Sequence, residues 1–495
     1  MNGLQQICLQ QILYALLVSV STISAAQGAA SVAAFPVVYA PNRRYLQDQN
    51  GVPFPILGRA SWYLISRPMA DIQTYVGDSV ARGYDAVEMN AIDHWSGANN
   101  PPFNGDGNAP FLKRLDGGSW NGALGYANIA NEAPDFTTPN EAYWAAMDAF
   151  LDYAQSQGML VFLFPSYVGY AGGDQGWMQE MLANGPTRMH DYGVWIANRY
   201  KDQKNLVWMV GGDMGTGPIV FNPAQTAVEN ALLTGIQSVA RQSLYFSAEW
   251  QSESIGTDQS SFGTSMTLNS VYSWTGQVNP HARRAYAHTP VEPAFLLEEP
   301  YDQEGPDGGG TTIANPNATQ PVRRFQWWGW LDAIGGYISG NGHVWPFLGN
   351  EWSGHLDTQG ARDMAQLNAF IRSIAWYQLV PSGLGGMKTL ITSGSSTENN
   401  ADFVAAAATP SGSLLVAYVP PAHTGTLGVD MTAMNGLARA RWFNPTSGAY
   451  TAIGSYPNTG TAVFTPLGNN GTGFSDWVLV IDSSDAIFAN GFELP

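Results

Sequence analysis

An unbroken apolar run, Leu206-Val207-Trp208-Met209-Val210, stops on Gly211-Gly212-Asp213, and a second, Phe295-Leu296-Leu297, stops on Glu298-Glu299. Short apolar runs bounded in this way read as buried strands, and the glycines let the chain leave the strand in conformations that other residues resist. A carboxylate at each exit is either a loop cap or a tool. Two of them facing one gap could cleave an acetal. One protonates the departing oxygen while the other attacks or steadies the cationic sugar carbon, and a separation of about 5–5.5 Å makes the second a nucleophile. In that chemistry Asp213 is the acid/base and Glu299 the nucleophile. Trp62, Trp208 and Trp274 around Asp213 would favour its protonated form by excluding water. Side chains alternate along a strand, so only one of Glu298 and Glu299 faces the gap unless the strand is distorted at its end. The sequence leaves that choice open.

Other polar and aromatic residues gather at the ends of apolar runs, where they could bond to or stack on a sugar ring. They are Trp62, Asp93, His94, Tyr167, Glu249, Trp250, Trp274, Tyr301 and Trp345. Each singly could equally be structural. His281 and His288 lack metal-ligand spacing and no other His pair supplies it, so no catalytic metal is expected. Asn104-Gly105-Asp106-Gly107-Asn108 superficially suggests a calcium loop but lacks that motif's glycine and terminal glutamate, and reads as a turn. Nucleophile-elbow, phosphate-loop and dinucleotide motifs do not occur in a supporting context, so no cofactor is expected.

The elements that must position these residues repeat a strand, loop, helix rhythm. Strands are expected over 59–63, 86–92, 159–165, 206–213, 244–250, 267–274, 294–299 and 333–338, with helices between them at 70–82, 138–157, 186–201, 227–241 and 322–332. Thr138 is the expected cap of the second helix. Eight alternations in about 300 residues are the arithmetic of an α/β fold, the (β/α)8 TIM barrel, whose strand exits form the active face. Ahead of it, 45–58 reads as a hairpin turning on Asn50-Gly51. From residue 379 helical periodicity gives way to short strands such as 413–419 and 477–481, the pattern of a small antiparallel β-sandwich. The expected division is a leader at 1–30, a barrel at 36–378, a sandwich at 379–484 and a tail at 485–495.

Composition narrows the ligand class. With 39 acidic against 21 basic residues the net charge is −18, so nucleic acid, anionic membranes and polyanionic substrates are repelled over most of the surface. Aromatic residues make up 12% of the chain, which suits neutral polyhydroxylated ligands and would equally serve a large core. The single cysteine is Cys8, so disulfides and thiolate chemistry are excluded beyond the leader. Residues 1–30 hold an apolar centre at 12–20 followed by small residues, the grammar of a secretory signal peptide without its positive start. An exported protein, secreted or periplasmic, with no membrane attachment after cleavage is the expectation, against an uncleaved anchor as the competitor. The oligomeric state is not written in the sequence.

The order of Asn50-Gly51-Val52-Pro53-Phe54, Gly211-Gly212-Asp213, Glu299-Pro300-Tyr301-Asp302, Val322-Arg323-Arg324 and the Gly-rich segment to Trp345 resembles the apiosidase-like glycoside hydrolases, barrel enzymes followed by a domain named for collagen binding. Tyr418-Val419-Pro420-Pro421, Trp442-Phe443-Asn444-Pro445-Thr446-Ser447-Gly448 and Asp476-Trp477-Val478-Leu479 are similar to that second domain. The resemblance implies a retaining glycosidase acting on a glycan, with Asp213 and Glu299 as its carboxylate pair. Two places depart from the family pattern: Tyr337 stands where a histidine is expected and Ser247-Ala248-Glu249 replaces a His-containing fifth-strand end, implying an altered sugar subsite. Residues 485–493 resemble tails of secreted bacterial proteins. A non-catalytic carbohydrate- or matrix-binding protein on the same scaffold is the rival reading. A polysaccharide lyase using Arg323 and Arg324 as a basic subsite is a second rival, disfavoured by the acidity.

Overall fold

The computed structural model describes residues 32–95, 97–124, 132–173, 175–214, 221–239, 245–274, 277–304 and 321–483. The expected leader and tail lie outside the described residues. Eight parallel strands build the barrel: β1 (Ile56–Ala60), β2 (Ala86–Asn90), β3 (Leu160–Phe164), β4 (Leu206–Gly211), β5 (Phe246–Glu249), β6 (Asn269–Tyr272), β7 (Ala294–Glu298) and β8 (Ile334–Ser339). They run in the order β5-β4-β3-β2-β1-β8-β7-β6, each parallel to its neighbour. The seam between β5 and β6 is held by the Thr267 and Leu268 N–H groups on Phe246 O, at 2.9 and 3.0 Å. Ser247 Oγ on Leu268 O at 3.0 Å and Ser270 Oγ on Ala248 O add to it. All eight strands are buried along their whole length, which is why β3, β4 and most of β7 appear in the sequence as apolar runs rather than alternations.

Seven helices accompany the strands: α1 (Met69–Ala81), α2 (Glu141–Ser156), α3 (Met178–Arg199), α4 (Pro223–Gln237), α5 (Val278–Ala287), α6 (Arg323–Ala333) and α7 (Gln359–Ser373). The cap of α2 is Asn140, whose side chain accepts from Ala142 N–H at 3.2 Å, rather than the expected Thr138. The Thr138 hydroxyl is engaged instead with Asp135 O at 2.8 Å, which keeps it in the preceding turn. The 104–108 segment is a turn, with Asn104 Oδ1 accepting from the Asp106 and Asn108 N–H groups. The Asn50-Gly51 hairpin forms between Leu46–Gln47 and Pro53–Phe54, with Asp48 Oδ1 bonding the N–H groups of Asn50 and Val52. No helix among the described residues is long and apolar enough to cross a membrane.

Beyond α7 the chain is antiparallel: β9 (Val380–Pro381), β10 (Ile391–Ser393), β11 (Ala405–Ala408), β12 (Leu414–Val419), β13 (Leu427–Asp430), β14 (Ala438–Phe443), β15 (Tyr450–Tyr456), β16 (Thr461–Phe464) and β17 (Trp477–Ser483). A six-stranded sheet in the order β9-β11-β12-β17-β14-β15 faces a three-stranded one, β10-β13-β16. Alternation along β12 divides its side chains. Leu414, Val416 and Tyr418 join the core that begins in the barrel, whereas Leu415, Ala417 and Val419 pack toward the smaller sheet.

Candidate active site

At the strand exits a cleft of about 290 Å3, partly open to solvent, is lined by Trp62, Tyr63, Asn90, Tyr167, Tyr170, Gln175, Asp213, Tyr272, Trp274, Glu298, Tyr301, Glu304 and Trp345. Asp213 reaches it because β4 ends on two glycines with positive φ, 84° at Gly211 and 142° at Gly212. A Cβ at Gly211 would sit 2.2 Å from Glu249 O, and one at Gly212 would sit 2.6 Å from the Tyr167 ring. Only glycine satisfies both the angles and the space. The turn is pinned by Gly211 N–H on Glu229 Oε1 and by Asp213 N–H on Tyr167 Oη, each at 2.9 Å.

Glu298 and Glu304 are the other carboxylates in the cleft, and Glu298 comes from a strand end. Along β7, Val271 of β6 pairs with Leu296 and the next residue, Tyr272, pairs with Glu298. Leu297 is therefore an extra residue in the strand, a bulge that resets the alternation. Glu298 takes the inward phase, and Glu299 is turned out of the barrel toward α6, fully buried, with Oε1 accepting from Gln326 Nε2. The expectation that Glu299 faces the gap is thus reversed: the distorted strand end aims Glu298 there instead.

Glu298 sits in a crowd of acids. Burial and the nearby charge of Asp213 push its carboxyl up, opposed by the neighbouring Glu249 and the Tyr301 hydroxyl, which favour its charged form. The same contact favours the protonated form of Glu249, itself driven up by burial. Their contact therefore favours the proton on Glu249 over Glu298, while burial still holds the Glu298 carboxyl up at about 8. Glu88 of β2 is pushed far above the carboxylate range by burial and by the charges of Glu298 and Glu299. Glu304, raised to about 7 by burial, accepts from Trp345 Nε1 at 3.1 Å. Tyr301 Oη receives Trp62 Nε1 at 2.9 Å, which leaves its proton for the carboxylate side.

Of the residues expected at the site, Trp62, Tyr167, Asp213, Trp274, Glu298, Tyr301 and Trp345 line the cleft. Glu249 lies behind Glu298, fully buried. Asp93 and His94 do not reach the cleft. Asp93 is wholly buried and its acidity is suppressed by desolvation, whereas His94 Nε2 meets Glu180 at 2.8 Å under the ring of Trp177. Trp250 is buried with Nε1 on Gly256 O at 2.8 Å. Trp208 is part of the barrel wall, outside the lining. Tyr337 points its hydroxyl at Asn368, so its departure from the family pattern does not fall in the cleft. Arg323 and Arg324 are buried on α6 and away from the cleft, which removes the basic subsite a lyase would need.

Sequence reasoning missed Tyr63, Asn90, Tyr170, Gln175, Tyr272 and Glu304 in the lining. Asn90 and Tyr272 end β2 and β6 and could have been found by applying the strand-exit rule evenly. It also missed one His pair, since the rings of His343 and His355 stack at 4.1 Å.

The model for the "Apiosidase-like, catalytic domain" family matches residues 40–378, and that of the "Putative collagen-binding domain of a collagenase" matches residues 388–482. Among solved structures, the chain is similar to a glycoside hydrolase family 5 protein from Bacteroides vulgatus, at 19% identity and a TM-score of 0.69, covering 91% of this chain and 94% of that one. A structure described as a glycoside hydrolase shares 18% identity at a TM-score of 0.68, over 91% of this chain and 99% of the other. No curated protein sequence matches. With two thirds of its length inside one family model and the strand-exit cleft in place, the chain belongs to the apiosidase-like catalytic-domain family and is an enzyme of the glycoside hydrolase class.

Proposed function

We propose that the protein is an exported, retaining glycosidase acting on a neutral or lightly decorated glycan, with Glu298 as nucleophile and Asp213 as acid/base. The observation that carries this reading is that two carboxylates from separate strands line one open cleft whose walls are mainly aromatic. Their roles follow from their surroundings. Burial holds the Glu298 carboxyl up at about 8, and the hydrogen bonds from the Tyr301 hydroxyl and Glu249 work against that shift, toward the charged form a nucleophile needs. Asp213 is only half-buried, where a leaving group departs and water arrives. Glu298 attacks the anomeric carbon as Asp213 passes its proton to the glycosidic oxygen, releasing the aglycone as an alcohol. Asp213, now a carboxylate, takes a proton from water. The water oxygen then bonds to the anomeric carbon and Glu298 leaves.

Trp62, Trp274 and Trp345 offer faces to the C–H surfaces of a sugar, and the net charge of −18 favours a neutral one. Export is supported by the apolar 12–20 segment with small residues after it. The test is hydrolysis across a panel of plant and bacterial polysaccharides, with the released sugars identified and the anomer of the first product followed by NMR. Retention is expected, and a product of inverted configuration would overturn the nucleophile. Azide added to Glu298→Gly should give a glycosyl azide of inverted anomer, and added to Asp213→Gly one of retained anomer. The opposite pattern would exchange the two roles.

A further inference from the structure

Outside the cleft, one cluster has the composition of a metal site. His343 in the loop after β8, and Glu351 and His355 in the short helix Glu351–His355, each bring one ligand atom to within 4.8 Å of the other two. Glu351 and His355 stand at the two ends of this 3-10 helix, and the His343 ring lies flat on that of His355 at 4.1 Å. His343 Nδ1 is 3.4 Å from Glu351 Oε1.

The hydrogen bonds behind these residues fix a tautomer. The His343 N–H donates to Asn341 Oδ1 at 2.9 Å, so the other atom of that amide is the nitrogen. It donates to Asp302 Oδ2 at 3.0 Å and to Gln303 Oε1 at 3.4 Å. Gln303 Oε1, thereby identified as an oxygen, can only accept from His355 Nδ1 at 2.8 Å. In the neutral ring the proton sits on Nδ1 and the lone pair on Nε2, the arrangement an amide oxygen imposes on metal-ligating histidines.

We propose that His343, Glu351 and His355 bind a divalent first-row transition metal such as Zn2+, with water completing the shell. Two imidazoles and one carboxylate suit such an ion and do not suit Ca2+ or Mg2+, which take oxygen-rich shells. Tetrahedral zinc at about 2.0–2.1 Å from nitrogen holds its ligands about 3.4 Å apart. The cluster must therefore draw in by roughly an ångström, which half-buried histidines and an exposed glutamate allow. The ion clasps the helix to the loop that carries Trp345, whose ring stacks on Trp95 at 5.1 Å and whose Nε1 bonds Glu304. It thus steadies one wall of the cleft without touching the reacting groups.

The test is calorimetric titration of the full chain, purified without a histidine tag, with ZnCl2 and separately with CaCl2. One equivalent of zinc is expected to bind and to raise the melting temperature, and calcium to do neither. Gln303→Ala should weaken zinc about 10- to 100-fold, and His343→Ala or His355→Ala should lose it beyond that range. Glu351→Gln, an exposed change that leaves the fold intact, should weaken it as well, and His190→Ala should not. Absence of zinc binding by the unaltered chain, or binding that survives Glu351→Gln and His355→Ala unchanged, overturns the site.

Discussion

Glu298 and Glu299 are adjacent, chemically identical and both buried, yet the bulge at Leu297 gives them opposite surroundings. Replacing Glu298 by Ala should lower kcat by roughly 10⁴–10⁶-fold with the fold retained, the scale of a lost nucleophile. Glu299→Gln should stay within about tenfold of wild type, at most about 1.4 kcal/mol in the barrier, since the amide keeps an oxygen to accept from Gln326 and lies outside the cleft lining. Steady-state rates on any cleaved glycan check both, and equal losses would refute the assignment. Tyr301→Phe removes the hydroxyl beside Glu298 while keeping the ring. It should cost about 10²-fold in kcat, the effect of one positioned donor, with little change in KM. The pairing of Asp213 with this strand was legible because both apolar runs stop abruptly on a carboxylate at a strand exit. The choice of partner was not, because one inserted residue flips the facing of every side chain after it. Nothing local in Leu296-Leu297-Glu298-Glu299 marks the insertion.

The elements carry these residues by means the sequence displayed unevenly. β3, β4 and β7 were legible from run length, since a strand buried on both faces shows its hydrophobicity, whereas β1 runs over Ile56–Ala60 rather than the expected 59–63 and β5 and β6 are broken by Ser247, Asn269 and Ser270. The support beneath β4 was not legible: Glu229, midway along α4, accepts the Gly211 N–H from eighteen residues away and carries no motif. Burial pushes its carboxyl up to about 7 from the ordinary 4.5. The sign of the consequence follows. The folded state keeps the proton that the unfolded chain loses near 4.5, so stability falls as pH rises from there and levels off above about 7. Glu229→Gln keeps the acceptor and abolishes the ionisation. It should match wild type in unfolding free energy near pH 4 and exceed it at pH 8 by up to about 3 kcal/mol. A variant that is less stable at pH 8 than at pH 4, relative to wild type, would show that the carboxylate is held charged. Asp332 of α6, likewise raised to about 7 by burial, acts in the same direction, so the wild-type enzyme should melt highest on the acid side of neutrality.

At the scale of the molecule, the change of grammar at residue 379 suggests two bodies on a hinge, the default for neighbouring domains. The contacts make them one. Arg323 of α6 meets Asp476, just before β17, through Nε at 2.7 Å and Nη2 at 2.5 Å, and Asp363 of α7 at 2.8 Å. Tyr418 Oη and Asn470 Nδ2 also donate to Asp476, at 2.9 and 2.7 Å, while the ring of Tyr418 stacks on Trp327 at 5.7 Å. A sign of this was present in Leu414-Leu415-Val416-Ala417-Tyr418-Val419. An antiparallel strand with one wet face would alternate, and one that is apolar throughout must be covered on both sides. The sequence could not name the cover, because the partner residues lie tens to hundreds of positions away. Arg323 is 1% and Asp476 0% exposed at the side chain, so Asp476→Ala leaves the buried guanidinium with Asp363 as its one remaining carboxylate partner and should cost about 3–5 kcal/mol. Barrel and sandwich should therefore melt in a single calorimetric transition that shifts down as a whole in Asp476→Ala. A chain ending at residue 378 should fail to accumulate as soluble protein, having lost the cover of Trp327, Trp328 and Arg323. Two separate transitions, or a soluble and active barrel alone, would show that the sandwich is an appendage rather than part of the barrel's own core.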